Sequence, residues 1–158
     1  MKLRQAQLSD LEEVQTLFVQ TIKNTCKSDY DKDQINAWIT SVENKERWED
    51  LLINQYFLIA EIDGKIVGFG SLKDGSYLDF MYVHKDYLRQ GIAHFLFENL
   101  KDESIRLGFD ILTSDVSKTA RPFFESKGFK VTKENRNIIQ GVELINYHMT
   151  TEKQTRNE

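Results

Sequence analysis

Apolar positions recur along this chain with two different periods, and the switch between them predicts its elements. Leu11, Val14, Leu17, Phe18 and Ile22 return every three or four residues, the pattern of an amphipathic helix. Ser9 and Glu12 ahead of it have capping-box spacing, with Ser9 as the cap and Glu12 reaching back. Residues 2–7 before the cap read as a short strand. A polar loop, Lys27-Ser28-Asp29-Tyr30, precedes a second helix that opens at Asp31-Lys32-Asp33 and sets Ile35, Trp38, Ile39 and Val42 on one face. A further turn or two of helix holds Trp48, Leu51 and Leu52. The period then shortens. Residues 56–62 are strongly strand-like, Asp63-Gly64 is a hairpin signal, and 65–72 return as the partner strand. Lys73-Asp74-Gly75 turns the chain again into a third strand at 77–83.

The helical period resumes at Ile92, Phe95, Leu96, Leu100 and Ile105 and ends at Gly108, a residue suited to a left-handed cap. A buried strand follows within 109–116, around Ile111-Leu112-Thr113. Coming after a crossover helix, it is expected to run parallel to the strand before it. A short helix at 119–127 is stopped by Gly128, and strands at 129–132 and 142–149 close the chain as an antiparallel pair. The order β-α-α-β-β-β-α-β-α-β-β describes a mixed sheet with helices on its faces, in the α/β or α+β class.

Composition narrows the function classes. A chain of 158 residues fits one domain, here placed at 1–150 with a polar tail at 151–158. The net charge of −4 gives no broad electrostatic footprint for nucleic acid. No window approaches the roughly 18 apolar residues of a membrane span, and the N-terminus lacks the apolar run of a signal peptide. The single cysteine, Cys26, excludes an internal disulfide and suits a reducing, cytoplasmic compartment. No His/Cys/Asp/Glu cluster has metal-ligand spacing, so no metal is expected.

The most informative stretch is Leu78 to Ala93, a strand, a short loop and a helix start. Arg89-Gln90-Gly91-Ile92-Ala93 falls where the helix begins. Unpaired N–H groups and the positive dipole end make such a place a site for phosphate. The segment therefore points to a phosphate-bearing cofactor lying along the preceding strand.

Leu88-Arg89-Gln90-Gly91-Ile92-Ala93 resembles the Q/R-x-x-G-x-G/A cofactor motif of the GNAT superfamily, the acetyl-CoA-dependent N-acetyltransferases. Ala120-Arg121-Pro122-Phe123-Phe124-Glu125-Ser126-Lys127-Gly128-Phe129 resembles that family's late F-[FY]-E-x-x-G-F signature. The resemblance extends from Leu3 to about Met149. It implies a mostly antiparallel sheet of six to seven strands with about four helices, splayed at its central strands. It also implies acetyl-CoA as co-substrate and direct attack by a primary amine of a small molecule or peptide. Two positions depart from the pattern. Leu88 stands where Gln or Arg is usual, which leaves the pyrophosphate to the backbone of Arg89, Gln90, Gly91, Ile92, Ala93 and His94. Phe124 stands where many relatives place a tyrosine that protonates the departing thiolate.

From the resemblance, the strand edge at Met81, Tyr82 and Val83 would pair with the pantetheine arm, and one N–H from Met81 or Tyr82 would face the thioester oxygen. Ser117 and Phe124 would complete the cofactor contacts, with Lys118 and Arg121 as weaker ones. Asp79, a charge inside an apolar strand, is the first choice for receiving the amine's proton, with His84 behind it. Tyr82 and Tyr147 are the choices for proton donor to the thiolate. Tyr30, Trp38 and Asn146 would line the acceptor's entry, and the loops at 27–31 and 134–140 would shape it. The last strand offers an edge for a homodimer; a monomer is equally open. The alternative reading is a CoA-binding regulatory module with little turnover.

Overall fold

The two hydrophobic periods sort onto one seven-stranded sheet and five α-helices in a computed structural model that describes residues 1–153. The strands are β1 (Lys2–Gln5), β2 (Tyr56–Ile62), β3 (Lys65–Lys73), β4 (Tyr77–Val83), β5 (Thr113–Ser117), β6 (Phe129–Ile139) and β7 (Val142–Thr151). The helices are α1 (Leu11–Thr25), α2 (Lys32–Ile39), α3 (Lys45–Asn54), α4 (Ile92–Arg106) and α5 (Arg121–Ser126). Strand order is β1-β2-β3-β4-β5-β7-β6. Every neighbouring pair is antiparallel except β4 and β5, which are parallel as the crossover helix requires.

The sheet separates two cores. On one face α1, α2 and α3 bury Phe18, Ile22, Trp48, Phe57, Phe69 and Phe80. On the other, α4 and α5 bury Val67, Leu72, Leu96, Leu100, Leu112, Phe124 and Met149. Each such side chain contributes about 1.5–3 kcal/mol. α4 lies close on β3 because Gly68 and Gly70 have no side chain. A Cβ on Gly70 would stand 2.9 Å from Leu100 Cδ1 and 3.2 Å from the Phe80 carbonyl oxygen. One on Gly68 would stand 3.1 Å from Ile92 Cγ2.

Several boundaries differ from the sequence reading. The first helix is not capped by Ser9, which sits inside a 3-10 turn, Leu8–Asp10. Asp10 precedes α1 instead. Its carboxylate accepts from the Gln7 N–H at 2.7 Å and from Arg4 at 2.8 Å, a charge-assisted pair a serine hydroxyl cannot form. β5 begins only at Thr113; Phe109 and Ile111 are exposed ahead of it. β6 runs on to Ile139, so 134–139 is strand rather than loop. Two of its three inward positions there are Asn135 and Asn137, which bond to Asp115 and Asn146 and carry no apolar signal; the third is Ile139. Thr151 belongs to β7, its N–H donating to the Leu112 carbonyl at 2.9 Å, so the sheet extends into the expected tail. Residues 154–158 lie outside the described residues.

Candidate active site

β4 and β5 are paired at one position only, Tyr77 with Thr113, and diverge beyond it. On its other side β4 stays joined to β3, where the His84 N–H donates to the Val67 carbonyl at 2.8 Å. Antiparallel alternation then turns the N–H of Tyr82 toward β3 and leaves those of Met81 and Val83 facing the gap. The free edge is thus at Met81 and Val83, and Tyr82 cannot supply the N–H donor. A cleft of about 1020 Å³ opens at this gap, lined by both faces of the splay.

At one end of the cleft stands the start of α4. Arg89 (φ 61°) and Gly91 (φ 81°) both take left-handed backbone, which swings the chain from strand into helix. The first helical bond runs from the Phe95 N–H to the Gly91 carbonyl. The N–H groups of Ile92, Ala93 and His94 precede it and have no intrahelical partner. A Cβ at Gly91 would meet nothing within 4 Å, so the space before these donors is open. Arg89, Gly91, Ile92, Ala93 and His94 line the cleft. Gln90 does not; its amide reaches back to the Asp86 carbonyl at 3.5 Å. The His94 ring contacts Lys127. Ser117 lines the cleft and accepts from the Ala120 N–H at 3.1 Å. Phe124 is buried edge-on against Phe129, centroids 5.0 Å apart, with its ring on the cleft wall.

At the other end, β4 carries a bulge. Ser71 opposes Phe80 and Leu72 opposes Leu78, which leaves Asp79 unmatched. The bulge resets the alternation, so Leu78 packs under α4 whereas Phe80 and Tyr82 pack under α1. Asp79 lines the cleft, and its Oδ2 accepts from the Gln55 amide at 2.6 Å. Ser71 in turn donates to Gln55 Oε1 at 2.6 Å, fixing which way that amide points. Oδ1 of Asp79 has no hydrogen bond among the described residues.

A second carboxylate, Asp115 on β5, is the hub of a network. It accepts from the Tyr77 hydroxyl at 2.6 Å and from Asn135 at 2.8 Å, and His148 Nδ1 lies 3.0 Å away. Desolvation alone would raise its pKa, but the bonds from Tyr77, His148 and Asn135 prevail and hold it below the usual range. Asn146 Oδ1 accepts from Asn135 and Asn137 at 2.9 and 3.1 Å.

Other expected residues fall as follows. Tyr30 and Trp38 meet edge to face, centroids 5.2 Å apart, on the cleft wall. The Tyr30 hydroxyl is already engaged, accepting from the Lys118 N–H at 3.0 Å and donating to the Ile145 carbonyl at 2.7 Å. Burial pushes its pKa up to about 12. Tyr82 stacks on Phe69 at 5.3 Å and lines the cleft, and burial strongly raises its pKa, so it stays protonated. Tyr147 points to the opposite face, beneath the Arg121 guanidinium at 4.7 Å, and is not part of the cleft lining. His84 lies outside the cleft as well; its Nδ1 accepts from the Asp86 N–H at 3.1 Å. Gln55, Ser71, Asp115, Asn135 and Asn137 were not singled out from the sequence. Alternation along Thr113–Ser117 sets Asp115 on the face of Ser117, a signal that was available. The contact between Gln55 and Asp79 has none, because it depends on the bulge.

A splayed sheet edge beside an N–H-rich helix start defines a protein that takes a co-substrate with a peptide-like arm and phosphates. The family model described as Acetyltransferase (GNAT) domain matches residues 26–151. An uncharacterized N-acetyltransferase, YafP, of Escherichia coli K12 is 33% identical over 150 residues, covering 94% of each chain. A GCN5-related N-acetyltransferase from Rhodopseudomonas palustris superposes with a TM-score of 0.91 at 32% identity, over 95% of this chain and 94% of that one. The PaiA N-acetyltransferase of Thermoplasma acidophilum, solved with coenzyme A, shares the fold at a TM-score of 0.77 and 20% identity, over 97% and 98% of the two chains. The chain belongs to the GNAT superfamily and is an acetyl-CoA-dependent acyltransferase. No helix among the described residues is long and apolar enough to cross a membrane, and none of their His, Cys, Asp and Glu side chains cluster as metal ligands.

Proposed function

We propose that this protein transfers the acetyl group of acetyl-CoA to a primary amine by direct attack within a ternary complex. The observation that carries the proposal is the continuity of the cleft from the free β4 edge to Asp79. The residues present fit the co-substrate. Ile92, Ala93 and His94 offer N–H donors to its phosphates, and Met81 and Val83 offer a strand edge to its amide arm. Bound there, it supplies the activated acetyl thioester.

The Met81 N–H is the donor for the thioester oxygen, an interaction worth about 3–4 kcal/mol where negative charge develops. The amine enters from the face of Asp79 and Tyr82. As its nitrogen bonds to the acetyl carbon and the C–S bond breaks, its proton passes to Asp79, directly or through one water. Asp79 is favoured over Asp115 as acceptor. Asp115 already receives three hydrogen bonds, whereas Oδ1 of Asp79 is unclaimed among the described residues. A CoA thiol has an ordinary pKa near 8.5 and leaves tolerably as thiolate. This is compatible with Phe124, and the thiolate can take its proton from solvent, since burial makes Tyr82, which lines the cleft, a weak acid.

Release of free thiol from acetyl-CoA across a panel of small amines and peptide N-termini tests the proposal. Amine-dependent release supports it. Tight binding of acetyl-CoA with no release from any amine would make the protein a CoA-binding module.

A further inference from the structure

Three hydroxyl oxygens on one wall of the cleft are buried with no hydrogen-bond partner among the described residues. Thr21 and Thr25 lie one turn apart on α1, and Ser41 follows α2. All three side chains line the cleft, and Thr21 is only 7% exposed. Buried polar atoms are nearly always satisfied in native proteins, so three together in a cleft wall point to a ligand. The other such hydroxyl among the described residues, Ser104, is on α4.

The same wall carries Arg47 of α3. It is exposed, and its guanidinium makes no ion pair or hydrogen bond among the described residues. Arg89 and His94, the other basic side chains lining the cleft, belong to the α4 end. The acceptor end therefore presents two carboxylates, Asp79 and Asp115, and one guanidinium, with unpaired hydroxyls beside it. A simple alkylamine would match the carboxylates and leave Arg47 and the hydroxyls unanswered. A guanidinium fork matches a planar oxyanion in two parallel hydrogen bonds.

We propose that the acceptor is a small zwitterion, an amine that also bears an oxyanion such as a carboxylate, with its amine at Asp79 and its oxyanion on Arg47. Thr21 and Ser41 supply further hydrogen bonds to its polar groups. This rests on the acetyl-transfer reading and narrows its acceptor.

The test measures thiol release by the full chain with matched sets: an amino acid, its carboxamide, the corresponding aminophosphonate, a polyamine and a peptide. The expected KM for the zwitterion is about 10-fold or more below that of its carboxamide, the size of one charge-assisted hydrogen bond. The carboxylate and phosphonate arms identify the oxyanion. In Arg47→Met, which keeps the aliphatic stem, the KM ratio collapses toward one, and Arg47→Lys retains part of it. Equal KM for zwitterion and carboxamide, or a preference that survives Arg47→Met, overturns the proposal and leaves acetyl transfer standing. Preference for the polyamine or the peptide does the same. Silence with every amine overturns both. The wild-type panel decides the matter even if a variant fails to fold.

Discussion

Replacing Asp79 by asparagine removes a proton acceptor and preserves the contact that holds it. Asparagine has the same shape, and its amide oxygen can accept the Gln55 hydrogen bond now made at 2.6 Å. Ser71 still orients Gln55, so the bulge keeps its partners. What is lost is general-base help, typically 10²- to 10⁴-fold in rate, or about 2.7–5.4 kcal/mol of barrier. The loss depends on pH in a defined direction. An amine with a pKa near 10 is free in roughly one molecule per thousand at pH 7. The variant must wait for that fraction, so its turnover climbs about tenfold per unit between pH 7 and pH 9, steeper than the wild type. Thiol release at saturating acetyl-CoA from pH 6 to 10, with thermal melting of both proteins as a folding control, reads this out. Wild-type turnover by Asp79→Asn across the whole range would refute the argument and return the proton to solvent.

Gly70→Ala forces a methyl to 2.9 Å from Leu100 Cδ1 and 3.2 Å from the Phe80 carbonyl. It should cost about 1–3 kcal/mol and lower the melting temperature by roughly 2–4 °C per kcal/mol; an unchanged melt would mean α4 rides higher on β3 than described. Tyr30→Phe strips hydrogen bonds from the Lys118 N–H and the Ile145 carbonyl, and thermal melting should show a loss of about 1–3 kcal/mol. Asp115 is held below its unfolded pKa of about 3.9. Its contribution is therefore complete at neutral pH and is lost as pH falls through the folded value. Urea midpoints from pH 6 down to 2 should decline on the acid side in the wild type, and less steeply in Asp115→Asn.

Much of the fold was legible because its signals are local. Leu11, Val14, Leu17, Phe18 and Ile22 made α1 visible, and Asp63-Gly64 fixed the β2–β3 hairpin, both residues taking positive φ as the turn demands. The motif at Arg89–His94 named its helix start for the same reason. What was missed involves surfaces that do not face a core. Asn135 and Asn137 hid the length of β6 because their inward side chains bond to Asp115 and Asn146 instead of packing in a core. Ser9 does not cap α1 because it lies inside the 3-10 turn Leu8–Asp10, which Asp10 closes onto the Gln7 N–H and ties to Arg4 on a separate strand.

The site divides along the same line. Sequence alone pointed to the proposed co-substrate end, since an N–H-rich helix start and a preceding strand edge are built from consecutive residues, Leu78 to Ala93. It also proposed Asp79, a charge in an apolar strand. Only the tertiary structure decided which atoms face the gap, through the hydrogen bond of His84 to Val67 that sets the parity of β4. It likewise turned Tyr147 to the opposite face under Arg121, brought Asp115 to the cleft, and set Gln55 and Ser71 behind Asp79. The acceptor end draws on α1, α2, α3, β4, β5, β6 and β7, segments spread from Phe18 to Asn146. Contacts over such separations are set by packing and by one bulge, and no local pattern encodes them.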